Sequence, residues 1–402
     1  MKNKKTRGEI VKKFPPLKKL LPVICLALVA VIIIIAVVAR GGANRKGDDN
    51  QNPPEPPVVI ETETPEPSKS PTPSKTPPPT PTETKPPEET PPPYTGPRNP
   101  LTGLPCTEEA LKLRPMAIMI NNMSVAQPQL GISRADMIYE VPVEGGITRM
   151  IALYQDVTDV GVIGSVRSAR PYYLDIAQGY DAVYIHAGGS PQAYELLKSR
   201  GITHLDGVNG TRQDIFYRDS GRRQSMGYEH SLVTSSERIQ KYLPTYKIRL
   251  EHEENYTIPM AFSDEAAPKD GAAAVNFDVF FSSTKKTSFE YNADEGKYYL
   301  SQYKKAYKDG NDGVQVAVSN VLILKTKINQ ISGDKEGRLS VTLTGSGSGY
   351  FICGGKAVEI SWSKAGAASP FVYTLKDGSD LTFGTGRTYI CIVPQDINIE
   401  IK

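Results

Sequence analysis

The chain has 402 residues, a formal net charge of +3, 33 prolines and only four cysteines. Residues 1–19 hold eight Lys or Arg against the single acid Glu9, a net of +7, which leaves everything after them at −4. This distribution excludes a basic nucleic-acid-reading surface on the folded part, and the four Cys and four His show neither a CxxC pair nor zinc spacing, so no metal site is expected.

Residues 1–19 read as a cytoplasmic basic tail. Residues 20–39, LLPVICLALVAVIIIIAVVA, carry no charge over twenty positions. At ~1.5 Å per residue they span ~30 Å, the hydrocarbon thickness of a bilayer, so a single transmembrane helix is expected. A cleaved signal peptide ending near Ala39 is the competing reading, but its apolar core would exceed the ~7–15 residues usual there. Cys25 is no lipidation signal, because Ile24 stands where a small residue is needed. The basic tail keeps the amino end in the cytoplasm, which puts the rest of the chain outside the cell membrane. Residues 40–98 follow as a Pro/Thr/Glu-rich disordered stalk; extended at ~3.1 Å per residue, it reaches on the order of 150 Å.

Order is expected from Asn99. TEEALKL from Thr107 predicts a short helix; MAIMIN (116–121), ADMIYEVPV (135–143), TRMIALYQ (148–155) and DAVYIHAG (181–188) predict strands. Ser190 as N-cap, Pro191 in the first turn and Gly201 beyond the end predict a helix between them. Thr234-Ser235-Ser236-Glu237 marks another helix, running to about Leu243. Strand and helix alternate over 99–250, which predicts a mixed, layered α/β domain. From Pro259 onward, short strand-like runs separated by Gly, Asp and Ser predict a β-rich domain over 275–398 that packs on the first half. Cys353 and Cys391 lie in those strands, either as a disulfide or as two buried thiols.

Polar residues gather between 121 and 230, mostly where strands end, the usual position of ligand sites on a rigid sheet. Gly188, Gly189 and Ser190 lead into a helix amino terminus, where free N–H groups and the helix dipole favour anions. Arg167 and Arg170, close upstream, suit bidentate recognition of phosphate or carboxylate. With Arg134, Asp136, Arg149 and His186 they form the candidate ligand-binding set. The bland reading pairs Arg167 and Arg170 with Asp175, Asp181 or Glu195. Asp136, Asp175, Asp206 and Asp219 offer Mg²⁺ ligands only if a pyrophosphate binds. No Gly-x-Ser-x-Gly, HExxH or Walker motif is present, and no catalytic residue is assigned.

RPMAIMINN, QPQLGISRAD, VEGGITR, IGSVRSARPYY and HAGGS, in this order, resemble the YerB-like bacterial proteins, lipoprotein-type chains carrying a domain of unknown function. The likeness covers about 99–250, with a β-rich companion domain over about 275–395. It implies a layered α/β fold on the outer face of a bacterial membrane and no established activity. Ser231 follows His230 where the resemblance expects Asn. The order of motifs is also similar, more faintly, to LytR-CpsA-Psr wall-polymer transferases. That likeness maps Arg134 and Asp136 to one motif, Arg167 to the next, and His186 with Gly188-Gly189 to a third. Ser168 stands where that family has an acid. Three functional readings result. The first is a cell-envelope protein binding an anionic wall glycopolymer or lipid-linked precursor, without a cofactor. The second is a phosphotransferase on polyprenyl-pyrophosphate-linked glycopolymer, the one reading that needs Mg²⁺. The third is an interaction protein with no small ligand.

Overall fold

Two interruptions shape the first part of the fold: the strand after Arg134 starts only at Met137, and Pro171 opens a helix directly behind Arg170. The computed structural model describes residues 94–210, 214–397 and 399, all within one compact unit, Glu88–Lys402. The expected tail and membrane span, and all of the stalk up to residue 93, fall outside the described residues. Among those described, no helix is long and apolar enough to cross a membrane.

The architecture is mixed α/β with a strand-rich carboxyl-terminal region. An eleven-stranded sheet contains β1 (Met116–Asn121), β2 (Met137–Pro142), β3 (Thr148–Tyr154), β4 (Val183–His186) and β5 (His204–Asp206) from the first half. From the second half come β6 (Ala272–Ala273), β7 (Asn320–Thr326), β8 (Gly345–Cys353), β9 (Lys356–Lys364), β10 (Val372–Leu375) and β11 (Thr388–Pro394). Their order is β6-β9-β8-β7-β11-β2-β3-β1-β4-β5, with β10 added on β9. The halves meet where β2 pairs in parallel with β11, Met137 opposite Thr388 through Glu140 opposite Cys391.

β1, β2, β4, β5, β7 and β11 run the same way, because β3 is antiparallel to both β1 and β2 and the other joins are parallel. Their carboxyl ends therefore line one edge of the sheet, and β3 enters at that edge with Thr148 and Arg149. Strand alternation sends Ile118, Ile120, Met150 and Ala152 to one face and Ala117, Met119, Ile151 and Leu153 to the other. Antiparallel strands at 276–280, 286–292 and 297–302 cover the first face with Phe277, Phe289 and Leu300. The second face packs on α2 (Pro171–Gly179) and α3 (Pro191–Ser199) of the helices in this region; α1 (Glu108–Lys112) precedes the first strand.

The expected helix at Ser190 forms, its side chain accepting from the Ala193 N–H. The later one is α5 (Ser236–Tyr242), behind α4 (Ser220–Met226), and its cap is Ser235. Helix α2 is absent from the sequence expectations: Tyr172, Tyr173, Leu174, Ile176, Ala177 and Gly179 are all buried, and only Pro171, Asp175 and Gln178 mark a narrow outer stripe, too short to stand out in the sequence. The disulfide alternative is ruled out. Cys353 and Cys391 are free, β7 lies between their strands, and their side chains enter opposite faces of the sheet.

A buried ion pair ties the halves together. Glu140 on β2 and Lys285 are both almost wholly buried, with Nζ 3.2 Å from Oε1. Asn122 Nδ2 and Thr148 Oγ1 also donate to Oε1, at 2.8 and 2.6 Å. Thr287 Oγ1 and the Tyr389 hydroxyl donate to Oε2, at 2.6 and 2.7 Å. Lys285 also donates to Gln302 Oε1 at 2.9 Å and lies 4.5 Å from the centre of the Tyr303 ring. Burial draws the Lys285 ammonium below its usual pKa, and the facing Glu140 carboxylate opposes that shift.

Removing one partner strands the other charge in the interior, at a cost of roughly 3–5 kcal/mol. In urea unfolding, Lys285→Met and Glu140→Gln are each expected to lose stability on that scale. The double variant is expected to lose much less than their sum.

Candidate functional site

Three arginines converge at the carboxyl edge. Arg149 comes from the start of β3, while Arg167 and Arg170 come from the connection that leads into α2. Facing them is Glu144 in the Glu144-Gly145-Gly146 turn between β2 and β3. Arg170 Nε donates to Glu144 Oε2 at 3.1 Å, its Nη2 pairs with Oε1, and its Nη1 donates to the Ala169 carbonyl at 2.8 Å. Arg149 Nη2 reaches Glu144 Oε1 at 3.3 Å, and its Nη1 donates to the Ser168 carbonyl at 3.2 Å. Burial pushes the Glu144 carboxyl up, but the Arg170 hydrogen bond and the charges of Arg149 and Arg170 outweigh it, so its pKa is lowered. Burial lowers Arg149, and the charges of Arg170 and Arg167 add to this.

Arg167 is held less completely. Its Nη1 donates to the Glu229 carbonyl at 3.1 Å and its Nη2 lies 3.4 Å from Glu229 Oε2, yet that carboxylate side chain is 74% exposed. Arg167 Nε is buried and has no hydrogen-bond partner. Beside it, Asn121 at the end of β1 meets His230 Nδ1 at 2.8 Å; burial, then the Arg167 charge, lowers the His230 pKa. Three guanidinium groups thus face two carboxylates, one of them in solvent. The suggested partners Asp175 and Asp181 are taken by Arg200 and by Arg114, Arg249 and His252.

The start of α3 is closed from within. Ser190 is buried, its Oγ accepts from Ala193, Pro191 has no N–H, and the Gly188-Ser190 backbone exchanges hydrogen bonds with Ala169. Gly188, at φ +73°, donates its N–H to Asp206 Oδ1 at 2.8 Å, and Tyr194 donates to Oδ2 at 2.6 Å. The carboxylate of Asp206 therefore occupies the place the sequence reading gave to a ligand. Gly189 lies half-buried against Ala169 and Tyr194.

His186 is buried beside this turn. Its Nδ1 lies 2.8 Å from the Gly188 carbonyl, which can only accept, so Nδ1 carries the proton; Nε2 then accepts from His204 Nδ1 at 3.0 Å. Burial holds its pKa down at about 4, against the pull of Asp206.

Arg134 and Asp136 lie elsewhere. They precede β2, whose carboxyl end borders the arginine cluster, so they sit at the opposite edge of the sheet. Arg134 pairs with Asp312 at 3.5 Å, and Asp136 accepts from Gln155 N at 2.7 Å and Asn99 Nδ2 at 3.1 Å. Burial pushes the Asp136 carboxyl up to about 6. The clamp expected from Arg134, Arg167 and Arg170 together does not form. Among the described residues, no group of three or more His, Cys, Asp or Glu side chains could hold a metal ion. The sequence reading passed over Glu144 as a partner, although it stands five residues from Arg149 and beside two turn-forming glycines.

A two-half α/β and β assembly with its polar residues at the carboxyl edge of shared strands defines the class. Residues 101–249 match the amino-terminal domain, and 277–390 the carboxyl-terminal domain, of the family described as protein of unknown function DUF3048, and the chain belongs to that family. Its relative in Bacillus subtilis (strain 168), described as "Putative lipoprotein YerB", is 30% identical over 298 residues, 73% of this chain and 86% of that protein. The crystal structure of YerB from Bacillus subtilis matches with a TM-score of 0.65 at 29% identity, covering 75% of this chain and 99% of that one.

The depressed His186 pKa means that the unfolded chain binds the extra proton before the native one does. Its contribution to stability is present above pH ~6.5 and is lost as pH falls towards about 4. Between those limits the wild type is expected to lose ~3 kcal/mol more than His186→Gln, read as the difference between their urea midpoints at each pH.

Proposed function

We propose that this chain is an extracytoplasmic cell-envelope protein, held at the membrane through residues 20–39, that binds an anionic wall glycopolymer or lipid-linked precursor at Arg149, Arg167 and Arg170. The uncharged run at 20–39, the basic tail before it and a family relative described as a lipoprotein support the location. One observation carries the site: Arg167 has a buried Nε without an acceptor and is paired with a carboxylate that lies mostly in solvent. An incoming phosphate or carboxylate can replace the exposed Glu229 carboxylate at Nη2, and a small outward turn of the side chain brings the unpaired Nε–H to it as well, forming the two parallel bonds that guanidinium groups favour. Arg149 and Arg170 set the positive field, while Glu144 keeps both side chains oriented.

The phosphotransferase alternative loses support, since Arg134 and Asp136 sit at the far edge from Arg167 and His186. Binding without chemistry is the better reading.

The test is calorimetric titration of the full-length chain, in detergent micelles, with a phosphodiester-linked glycerol polymer. Arg167→Ala is expected to weaken binding about tenfold, and added salt is expected to weaken it in the wild type. Unchanged affinity in Arg167→Ala would falsify this reading.

A further inference from the structure

The Gly145-Gly146 turn that carries Glu144 has a second neighbour. On its other side, Ser282 Oγ donates to the Gly146 carbonyl at 2.7 Å, and Thr284 Oγ1 lies 3.5 Å from where a Gly146 Cβ would stand. Thr284 also forms the wall of a depression of about 430 Å³ whose charged lining is entirely positive: Lys285 at its floor, Lys286 and Lys304 at its rim. Lys285 is committed to Glu140, and Lys286 pairs with the partly exposed Asp278 at 2.6 Å. Lys304 is exposed and makes no ion pair among the described residues.

The backbone here is costly. Tyr303 and Lys304 are consecutive non-glycine residues with φ of +52° and +62°, a region that disfavours any side chain with a Cβ. Hairpin pairing, one hydrogen bond and a ring contact hold them there. The 301–306 hairpin pairs across them, the Tyr303 hydroxyl donates to the Asn122 carbonyl, and the Tyr303 ring covers the Lys285 ammonium. Strain retained at a surface turn is a pointer to function. Here its consequence is definite: Lys304, which has no counter-charge among the described residues, is set at the rim of a depression whose other two lysines are paired.

Arginine cluster and lysine depression therefore flank one bare turn. A Cβ at Gly145 would meet nothing within 4 Å, so a chain can pass over the turn against open backbone. We infer that the two sites are one track, and that its occupant is a linear polyanion with repeating phosphodiester charges, one contacting Arg167 and another Lys286 and Lys304. This rests on the arginine reading above and extends it from a single anionic group to a polymer. A repeating polymer gains from the second site as an intramolecular event, which multiplies affinity without any new contact at the first. A ligand with one phosphate cannot gain in this way.

The experiment titrates the full-length chain in detergent with glycerol-phosphate oligomers from two units to many, and separately with vesicles of anionic phospholipid. Wild-type affinity is expected to rise about tenfold or more with oligomer length. Lys286→Ala/Lys304→Ala is expected to abolish that rise and leave two-unit binding unchanged, whereas Arg167→Ala weakens every length. A length dependence preserved in the lysine variant overturns the track and leaves the arginine site standing. Affinity untouched by Arg167→Ala at every length removes the underlying site as well. If the lysine variant alters binding to vesicles alone, the patch serves a lipid surface and the polymer track is wrong. Circular dichroism and urea midpoints of both variants, the lysines exposed and Arg167 partly buried, separate these outcomes from misfolding.

Discussion

The Glu140–Lys285 pair is the constraint on which the rest of the molecule turns. A carboxylate with no exposed surface is tolerable only when its oxygens are satisfied, and here five donors do so. Asn122 and Thr148 come from the first half, and Lys285, Thr287 and Tyr389 from the second. Neither half alone could bury Glu140 at acceptable cost. The final strand β11 also inserts beside β2, in the middle of the sheet. The two family segments are thus joined by both a shared sheet and a shared charge.

That same network organises the carboxyl edge. Asn122 follows directly on β1, Thr148 opens β3, and Tyr303 reaches Asn122 from above. Once these positions are fixed, Arg149 projects to the opposite face of the sheet from Thr148, towards α2, and meets Arg170 over Glu144. Lys285 meanwhile becomes the floor of the lysine depression. The placement of one buried acid thus sets both the arginines on one face of this edge and the lysines on the other.

Anion-favouring geometry and anion binding are not the same thing. The start of α3 has the glycines, the Ser cap and the dipole that attract negative charge, and the protein satisfies it from within: Ser190 caps the Ala193 N–H, and Asp206 takes the Gly188 N–H of the preceding turn. That carboxylate comes from the end of the neighbouring strand β5. At Arg167 the opposite holds: the counter-charge is an exposed, exchangeable side chain. The difference lies in burial: Asp206 is 5% exposed, the Glu229 side chain 74%.

Much of the fold was legible from local pattern. MAIMIN, TRMIALYQ and the Ser190-Pro191 start all form the elements their residues announce, because runs of buried apolar residues and cap chemistry are properties of adjacent positions. Membership of the family was equally legible, in motifs from RPMAIMINN to HAGGS. What adjacent positions could not show was which distant groups meet. Arg134 and Arg167 both stand beside strands, but at opposite edges, and only the direction of β2 tells them apart. Asp206 closing the helix start, Glu144 between two arginines, and Cys353 and Cys391 on opposite faces of the sheet all depend on strand order and register. The sequence by itself determined the elements with a clear local signature, the chemistry at hand and the kinship. Tertiary structure alone decided the pairing of charges, since Coulomb forces and burial act across space and take no account of position along the chain.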